Sequence, residues 1–423
     1  MKRSNIALAI SMLTASLFLT ACNNGGGSGS DNNSKPSTPS SYVSETDYAF
    51  ESQSLTDLGG SASSIKVMNY TMPNVMGKTV GTSALVFFPK IAQPKDGYRV
   101  LVWEHGTVGG ADQCAPSKTA LNDRFKTYMA KILLDQGYVI VAPDYEGLGG
   151  EGEHPYLNLP SEAKSAIYAV KAAKEHYSTQ LNGAWMSIGQ SQGGQASLGT
   201  AEYANSDPTY KGAVAGAPAS SLGHIILDVA PTAINTLPQA AAIDTYATLL
   251  SYAALTGVGI TAYDPTFNYK DLFGSDKAKE IAALAETTCL DGIVSAYSQD
   301  IQAFITQNPT AKVTDYPGLN TEEFKNNATI QKFLSDYSQP TTKKLNKPIL
   351  IVQGVYDTNV PYTVTYDLYD KMSKAGTNVS MIPVPIAPSA SAPVLNGSHT
   401  GAILVGVQTG QVGTFLNQWM PAQ

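Results

Sequence analysis

The chain has 423 residues, 43% of them hydrophobic and 14% charged, with 37 glycines and 24 prolines. That composition supports a large buried core and fits neither a coiled coil nor a disordered tail. The net charge of −7 comes without basic clusters, which argues against nucleic acid as a partner, because phosphate binding needs concentrated positive charge.

In chain order, "MKRSN" reads as a basic leader, "IALAISMLTASLFL" as a short apolar segment and "LTAC" as a cleavage site, so 1–21 is expected to be an export signal. The order Leu19-Thr20-Ala21-Cys22 resembles the bacterial lipobox. That resemblance implies an acylated Cys22, an anchor in a membrane surface and an exported lipoprotein, with the outer membrane or secretion as destinations. The polar, Gly- and Ser-rich stretch 22–46 is expected to act as a flexible tether.

Beyond it, "SIKVMNYTM", "VGTSALVFFP" and "YRVLVWEHG" are β-rich runs separated by Pro, Gly and Asp. Helical spacing covers 122–137, followed by the short strand "YVIVAPDYEG" and an amphipathic helix with Ser161 as its expected N-cap. "AWMSIGQ" is a strand, "GGQASLGTAEYA" a helix and "YKGAVAGAP" a strand. Such alternation predicts an α/β fold with a mostly parallel sheet covered on both faces. From 219 to 345 the pattern turns helical, with candidates at 240–256, 277–286, 291–306 and 321–337. The strand–helix rhythm returns with "KPILIVQGVYD", "YTVTYDLYDKMSKAG" and "VSMIPVPI". The expected organisation is a core of 47–218 and 346–423, with 219–345 inserted as a helical cap over the sheet's C-terminal edge.

Ser191 stands in "GQSQGGQAS", between a strand and a small-residue helix. Gly-x-Ser-x-Gly in that setting suits a serine on a sharp corner, with the next N–H, from Gln192, aimed where an oxyanion would form. A serine needs a base to take its proton. Of five histidines, only His399, in "NGSHTGA", follows a late strand and opens a final helix. Asp357, in "QGVYDTNVP", ends a strand where an acid can orient the imidazole. Asp367 and Asp370 read as solvated charges, and Asp144 as a turn or supporting residue. The early loop "HGTVGG" offers Thr107 as the second oxyanion donor, with the N–H of Val108 as the alternative. Cys114 and Cys289 remain after Cys22, and in an oxidising compartment they most simply form one disulfide. Two thiols without a His cluster do not make a zinc site.

Together "HGTVGGADQCAPS", "VAPDYEGLG", "HPYL", "GQSQGGQAS", "IVQGVYDTNVP" and "GSHTGA" resemble the secretory lipase family of α/β hydrolases, from about Val80 to the C-terminus. The family includes fungal lipase A-type enzymes and bacterial homologues. The resemblance implies a triad of Ser191, Asp357 and His399, a lid made from the helical insertion, a Cys114–Cys289 disulfide and hydrolysis of acylglycerols or simpler esters. Gln190 departs from the His or Tyr commoner before the serine. The Pro/Ala/Ser-rich approach to His399 is longer than usual. No metal or organic cofactor, nucleic acid or obligate protein partner is called for; the expected partners are a small-molecule ester or lipid and a membrane. Two alternatives stay open: a serine peptidase or amidase on the same fold, and a non-catalytic surface-binding lipoprotein.

Overall fold

The computed structural model describes residues 40–422. The expected leader, Cys22 and most of the tether lie outside the described residues. The nine strands are β1 (Tyr42–Asp47), β2 (Ala62–Pro73), β3 (Thr79–Pro89), β4 (Tyr98–Glu104), β5 (Val139–Pro143), β6 (Leu181–Gln190), β7 (Tyr210–Gly216), β8 (Ile349–Gly354) and β9 (Val379–Val384). They form one sheet in the order β1-β2-β3-β5-β4-β6-β7-β8-β9. β1, β2, β3 and β5 pair antiparallel in succession, and every pairing from β5 through β4 to β9 is parallel. The protein has the α/β-hydrolase fold.

The parallel strands read as continuous apolar runs because helices cover both their faces. Val100, Val102, Val139, Val141, Ala213, Ala215, Ile349 and Ile351 face one side and are fully buried. Against them pack α2 (Leu159–His176), α3 (Gln192–Tyr203) and α6 (Tyr362–Lys374). Leu101, Ile140, Ile188, Val214 and Val352 face the other side. There they meet the helical segment 123–135, α7 (Gly401–Gln408) and α8 (Gln411–Trp419). The short α1 (Glu51–Asp57) precedes β2, and between β7 and β8 run the longer α4 (Gln239–Thr261) and α5 (Leu290–Gln307) with several short turns. This insertion has its own core, centred on Leu250, Ala254, Phe273, Ile293, Tyr297 and Phe333. Among the described residues no helix is long and apolar enough to cross a membrane.

Three local expectations change. The sheet begins inside the stretch expected to be tether: Tyr42–Asp47 pairs with β2. That edge is held by tertiary contacts: the Glu175 carboxylate accepts the Ser41 and Tyr42 N–H groups at 2.7 and 3.0 Å, and Tyr42 stacks on His176. The N-cap of α2 is Asn158 rather than Ser161; the Asn158 side chain accepts the Ser161 N–H and lets Leu159-Pro160 open the helix. The helix expected over 321–337 breaks at Asn327, whose side chain accepts the N–H groups of Thr329 and Ile330 and starts a new helix.

The strand order also dictates where a ligand can sit. From β4 the chain crosses to β5 on one side, then returns past β4 to β6 and continues to β7 on the other. The loops leaving the C-terminal ends of β4 and β6 therefore diverge, opening a crevice at that switch point. The β4 loop carries His105–Gly110, and β6 ends at Gln190, with Ser191 next.

Candidate active site

Ser191 sits between β6 and α3 with φ 61° and ψ −118°, a conformation a non-glycine residue adopts only under constraint, at a cost of about 1–3 kcal/mol. The flanking glycines explain how the corner closes. A Cβ on Gly193 would stand 1.8 Å from the Glu104 carbonyl oxygen, and one on Gly189 would stand 2.1 Å from that of Gly193. Only hydrogen fits there, so the chain turns tightly enough to present the Ser191 hydroxyl. The Ser191 N–H is bound to the Gly216 carbonyl at 2.8 Å, which ties the corner to β7.

His399 Nε2 lies 2.7 Å from Ser191 Oγ, and His399 Nδ1 lies 2.8 and 3.0 Å from the two carboxylate oxygens of Asp357. A carboxylate can only accept, so the proton belongs on Nδ1 and Nε2 is free to accept from the serine hydroxyl. All three residues are buried. Asp357 Oδ1 accepts the N–H groups of Asn359 and Val360, each at 2.9 Å, and Oδ2 accepts from Gln353 Nε2 at 3.1 Å. His399 itself precedes α7, which begins two residues later, at Gly401. Three segments far apart in sequence thus meet in one chain of hydrogen bonds.

The oxyanion candidates lie on either side of this chain. Gln192 opens α3, so its N–H has no intrahelical partner. Thr107 belongs to the β4 loop and lines the same cleft as Ser191. That loop is clamped to the insertion: Leu290 N–H donates to the Val108 carbonyl at 2.9 Å, and Cys114 and Cys289 are joined by a disulfide. His105 shapes the loop from beneath, its ring against the Gly106 and Asp144 carbonyls, and burial pushes its pKa down.

Glutamines do work that reading the sequence for acids and bases overlooked. Gln190 Nε2 donates to the His399 carbonyl at 3.0 Å, so the residue that departs from the commoner His or Tyr steadies the histidine loop. Gln192 points the other way, its Nε2 lying 3.0 Å from His154 Nε2 and 2.8 Å from Glu162 Oε1. His154 Nδ1 meets the Glu146 carbonyl at 2.9 Å, so Nδ1 carries the proton and Nε2 accepts. Burial drives His154 down to about 3 and Glu162 up to about 8. Glu104, fully buried, receives Thr200 Oγ1 at 2.8 Å, and burial raises it well above the usual range. Asp144, raised to about 6 by burial, accepts Ser83 Oγ and the Ser117 N–H, a supporting place under the loop. The remaining candidates stand elsewhere. Asp367 and Asp370 pair with Lys371 and Lys374, His224 with Asp228, and His176 with Glu45. The signal in the sequence was the pair of glutamines around the serine, but nothing in it says that they point in opposite directions.

Two cavities open at Ser191 and His399. The larger, about 490 Å³, is lined by Trp103, Thr107, Phe125 and Leu290, with Arg124 and Asp291 among its polar residues. The smaller, about 70 Å³, lies under the insertion among Leu222, Leu249, Phe324 and Phe333. Among the described residues no cluster of His, Cys, Asp and Glu is placed to hold a metal ion.

The family model for secretory lipases matches residues 115–396. The chain belongs to the secretory lipase family. It is a carboxylic ester hydrolase of the lipase/esterase kind, and the family suggests an ester or lipid substrate and export. No curated protein matches its sequence. Its fold is similar to that of a Legionella pneumophila protein at 19% identity and a TM-score of 0.67, over 90% of this chain and 98% of that one. It is also similar to the rice cell wall degrading esterase LipA from Xanthomonas oryzae at 18% identity and a TM-score of 0.64, over 90% and 97%. Candida antarctica lipase A in its closed state matches at 18% identity and a TM-score of 0.63, over 89% and 81%. At such identities the likeness of this secretory lipase to those structures is one of fold.

Proposed function

We propose that this secretory lipase cleaves acylglycerols or simple acyl esters through an acyl-enzyme on Ser191. His399 takes the Ser191 proton as the oxygen attacks the ester carbonyl, and Asp357 stabilises the imidazolium. The N–H groups of Thr107 and Gln192 receive the oxyanion. His399 then protonates the departing alcohol, and water repeats the sequence to release the acid. The observation that carries this reading is the unbroken line of hydrogen bonds from Ser191 Oγ through both nitrogens of His399 to Asp357.

The smaller cavity takes the acyl chain, because its walls are mostly apolar, with Leu222, Ile225, Leu249, Phe324 and Phe333 outnumbering Thr256 and Asn359, and the larger, partly polar cleft takes the alcohol. The insertion 219–345 acts as the cap that excludes water from the ester. An acylated Cys22 would hold the enzyme at a membrane surface of the exporting cell, at the end of a tether. Steady-state hydrolysis of p-nitrophenyl butyrate by Ser191→Ala tests the nucleophile: kcat should fall by roughly 10⁵–10⁶, and undiminished turnover would end the assignment. Peptide anilides run beside butyrate, octanoate and palmitate esters separate esterase from amidase; turnover of the anilides alone would overturn the ester reading.

A further inference from the structure

The larger cleft beside Ser191 carries two charges that no group in the protein neutralises. Apart from the histidines, its charged wall residues are Arg124 and Asp291; the rest of the wall is mostly apolar, with Trp103, Phe125, Ile403 and Leu404. The Arg124 guanidinium makes one hydrogen bond, from Nη1 to Thr400 Oγ1 at 3.0 Å. The carboxylate next to it in sequence, Asp123, is taken by Lys126 at 3.0 Å. The other arginine among the described residues, Arg99, instead grips both oxygens of Asp96, at 2.8 and 2.9 Å. Among the described residues Asp291 meets no cation and its carboxylate accepts no hydrogen bond.

Both charges are fixed close to the reacting groups by their neighbours. Thr400, which holds Arg124, directly follows His399. Asp291 directly follows Leu290, whose N–H is bound to Val108 in the β4 loop. The cation thus stands on the His399 side of the cleft and the anion on the side of the insertion. At about 490 Å³ the cleft has the size of a small-molecule site. A neutral alcohol would leave both charges to water, whereas an alcohol bearing both signs would meet each of them. Most of the Arg124 N–H groups remain uncommitted, in a planar fork that matches paired phosphate oxygens.

We propose that the larger cleft is a subsite for a zwitterionic leaving group, with Arg124 receiving a phosphate and Asp291 an ammonium, so that glycerophospholipid esters are among the substrates. This rests on the proposed function, in which Ser191 is acylated and the alcohol lies in this cleft. The chemistry is unchanged. Ser191 Oγ bonds to the acyl carbon, the bond from that carbon to the glycerol oxygen breaks, and His399 passes the serine proton to that oxygen. Arg124 and Asp291 determine specificity by binding a head group remote from the reacting bond. In an open cleft water screens part of each attraction, so each is worth about 3–10-fold.

The test compares butyrate esters of different alcohols by the acid they release: monobutyrin, 1-butyryl-glycerol 3-phosphate, butyrylcholine, 1-butyryl-glycero-3-phosphocholine and O-butyrylcarnitine. The parent should favour the phosphocholine ester over monobutyrin by about tenfold or more in kcat/KM. Arg124→Gln should lower that ratio by about 5–10-fold, and Asp291→Asn by about 3–5-fold. On singly charged esters the variants should part. Arg124→Gln should lower the ratio of the glycerol phosphate ester to monobutyrin, and Asp291→Asn that of butyrylcholine to monobutyrin. A general structural disturbance would slow every ester and leave the ratios unmoved.

The proposal fails if the parent does not prefer the phosphocholine ester to monobutyrin, or if either variant keeps the parent's ratios within about twofold. A parent preference for O-butyrylcarnitine, which pairs a carboxylate with an ammonium, would overturn the phosphate assignment. Should a variant not fold, salt decides: raising sodium chloride from about 0.05 to 0.5 M should cut the parent's ratio by about twofold or more, and insensitivity overturns the proposal. Ser191→Ala separates this from the underlying reading. If that variant keeps its rate, the nucleophile assignment falls; if it is dead while the ratios stay flat, only the head-group subsite falls.

Discussion

The floor and the roof of the active-site crevice are built from opposite materials. Beneath Ser191, the ends of β4 and β6 and the loops around them gather Glu104, His105, Asp144, His154, Glu162 and Gln192, all buried and all hydrogen-bonded. Above it, the insertion offers Leu222, Leu249, Phe324 and Phe333 and a small apolar cavity. Buried polar groups tolerate few arrangements, because each must find partners, whereas apolar walls accept any filling of the right volume. Under the proposed function, the floor is thus suited to holding reacting atoms within tenths of an ångström, and the roof to choosing what fits and keeping water out.

The sharpest test of the floor is Asp357→Asn. An amide at 357 would offer N–H to the imidazole and favour the wrong tautomer, so kcat should drop by roughly 10⁴ with the fold intact. A loss of less than tenfold would mean that His399 does not depend on that carboxylate.

Next in size is the joint between floor and roof. Replacing Cys114 and Cys289 by Ser releases a link spanning 175 residues of sequence. It should cost about 2–5 kcal/mol in a urea denaturation experiment. An unchanged midpoint would mean that the Gly109–Cys289 bridge and the Leu290–Val108 hydrogen bond already hold the two parts together.

The floor should also show itself in pH dependence. Glu162 is raised from its ordinary value to about 8, so the unfolded chain loses that proton first, and stability falls as pH rises towards 8. His154 is depressed to about 3, so the unfolded chain gains a proton first, and stability falls as pH drops below about 6.5 towards 3. Between about pH 4.5 and 6.5 the two slopes oppose each other; above 6.5 the Glu162 slope continues, beside one of the same sign from the likewise raised Glu104. Glu162→Gln should remove a decline of about 2 kcal/mol between pH 6.5 and 8. Urea midpoints taken across that window provide the check, and an identical decline in the variant would assign it to another group.

The smallest effect is expected in the roof. Leu249→Ala enlarges the apolar cavity and should move preference from butyrate towards octanoate esters by about 5–10-fold in relative kcat/KM, since each added methylene is worth about 1 kcal/mol or more in such a site. An unaltered chain-length profile would place the acyl group in the larger cleft instead.

The sequence alone determined much. Period-two and apolar runs separated by Gly and Pro made the strands legible, and their alternation with helices required a covered, mostly parallel sheet. The small residues around Ser191 announced a corner, because only glycine lets backbones approach as closely as Gly193 and Glu104 do. The order Ser191, Asp357, His399 pointed to the chemistry proposed above. What only tertiary structure decided are contacts between residues with no local pattern to couple them. Tyr42–Asp47 became a strand because β2 and Glu175 were there to bind it. Gln190 and Gln192 took opposite directions because His399 lies on one side of the corner, and His154 with Glu162 on the other. The pairing of the Thr107 and Tyr156 hydroxyls spans 49 residues and two loops. Periodicity records how a segment meets water and core; it carries no record of which distant partner completes a hydrogen bond, and that choice falls to the folded chain.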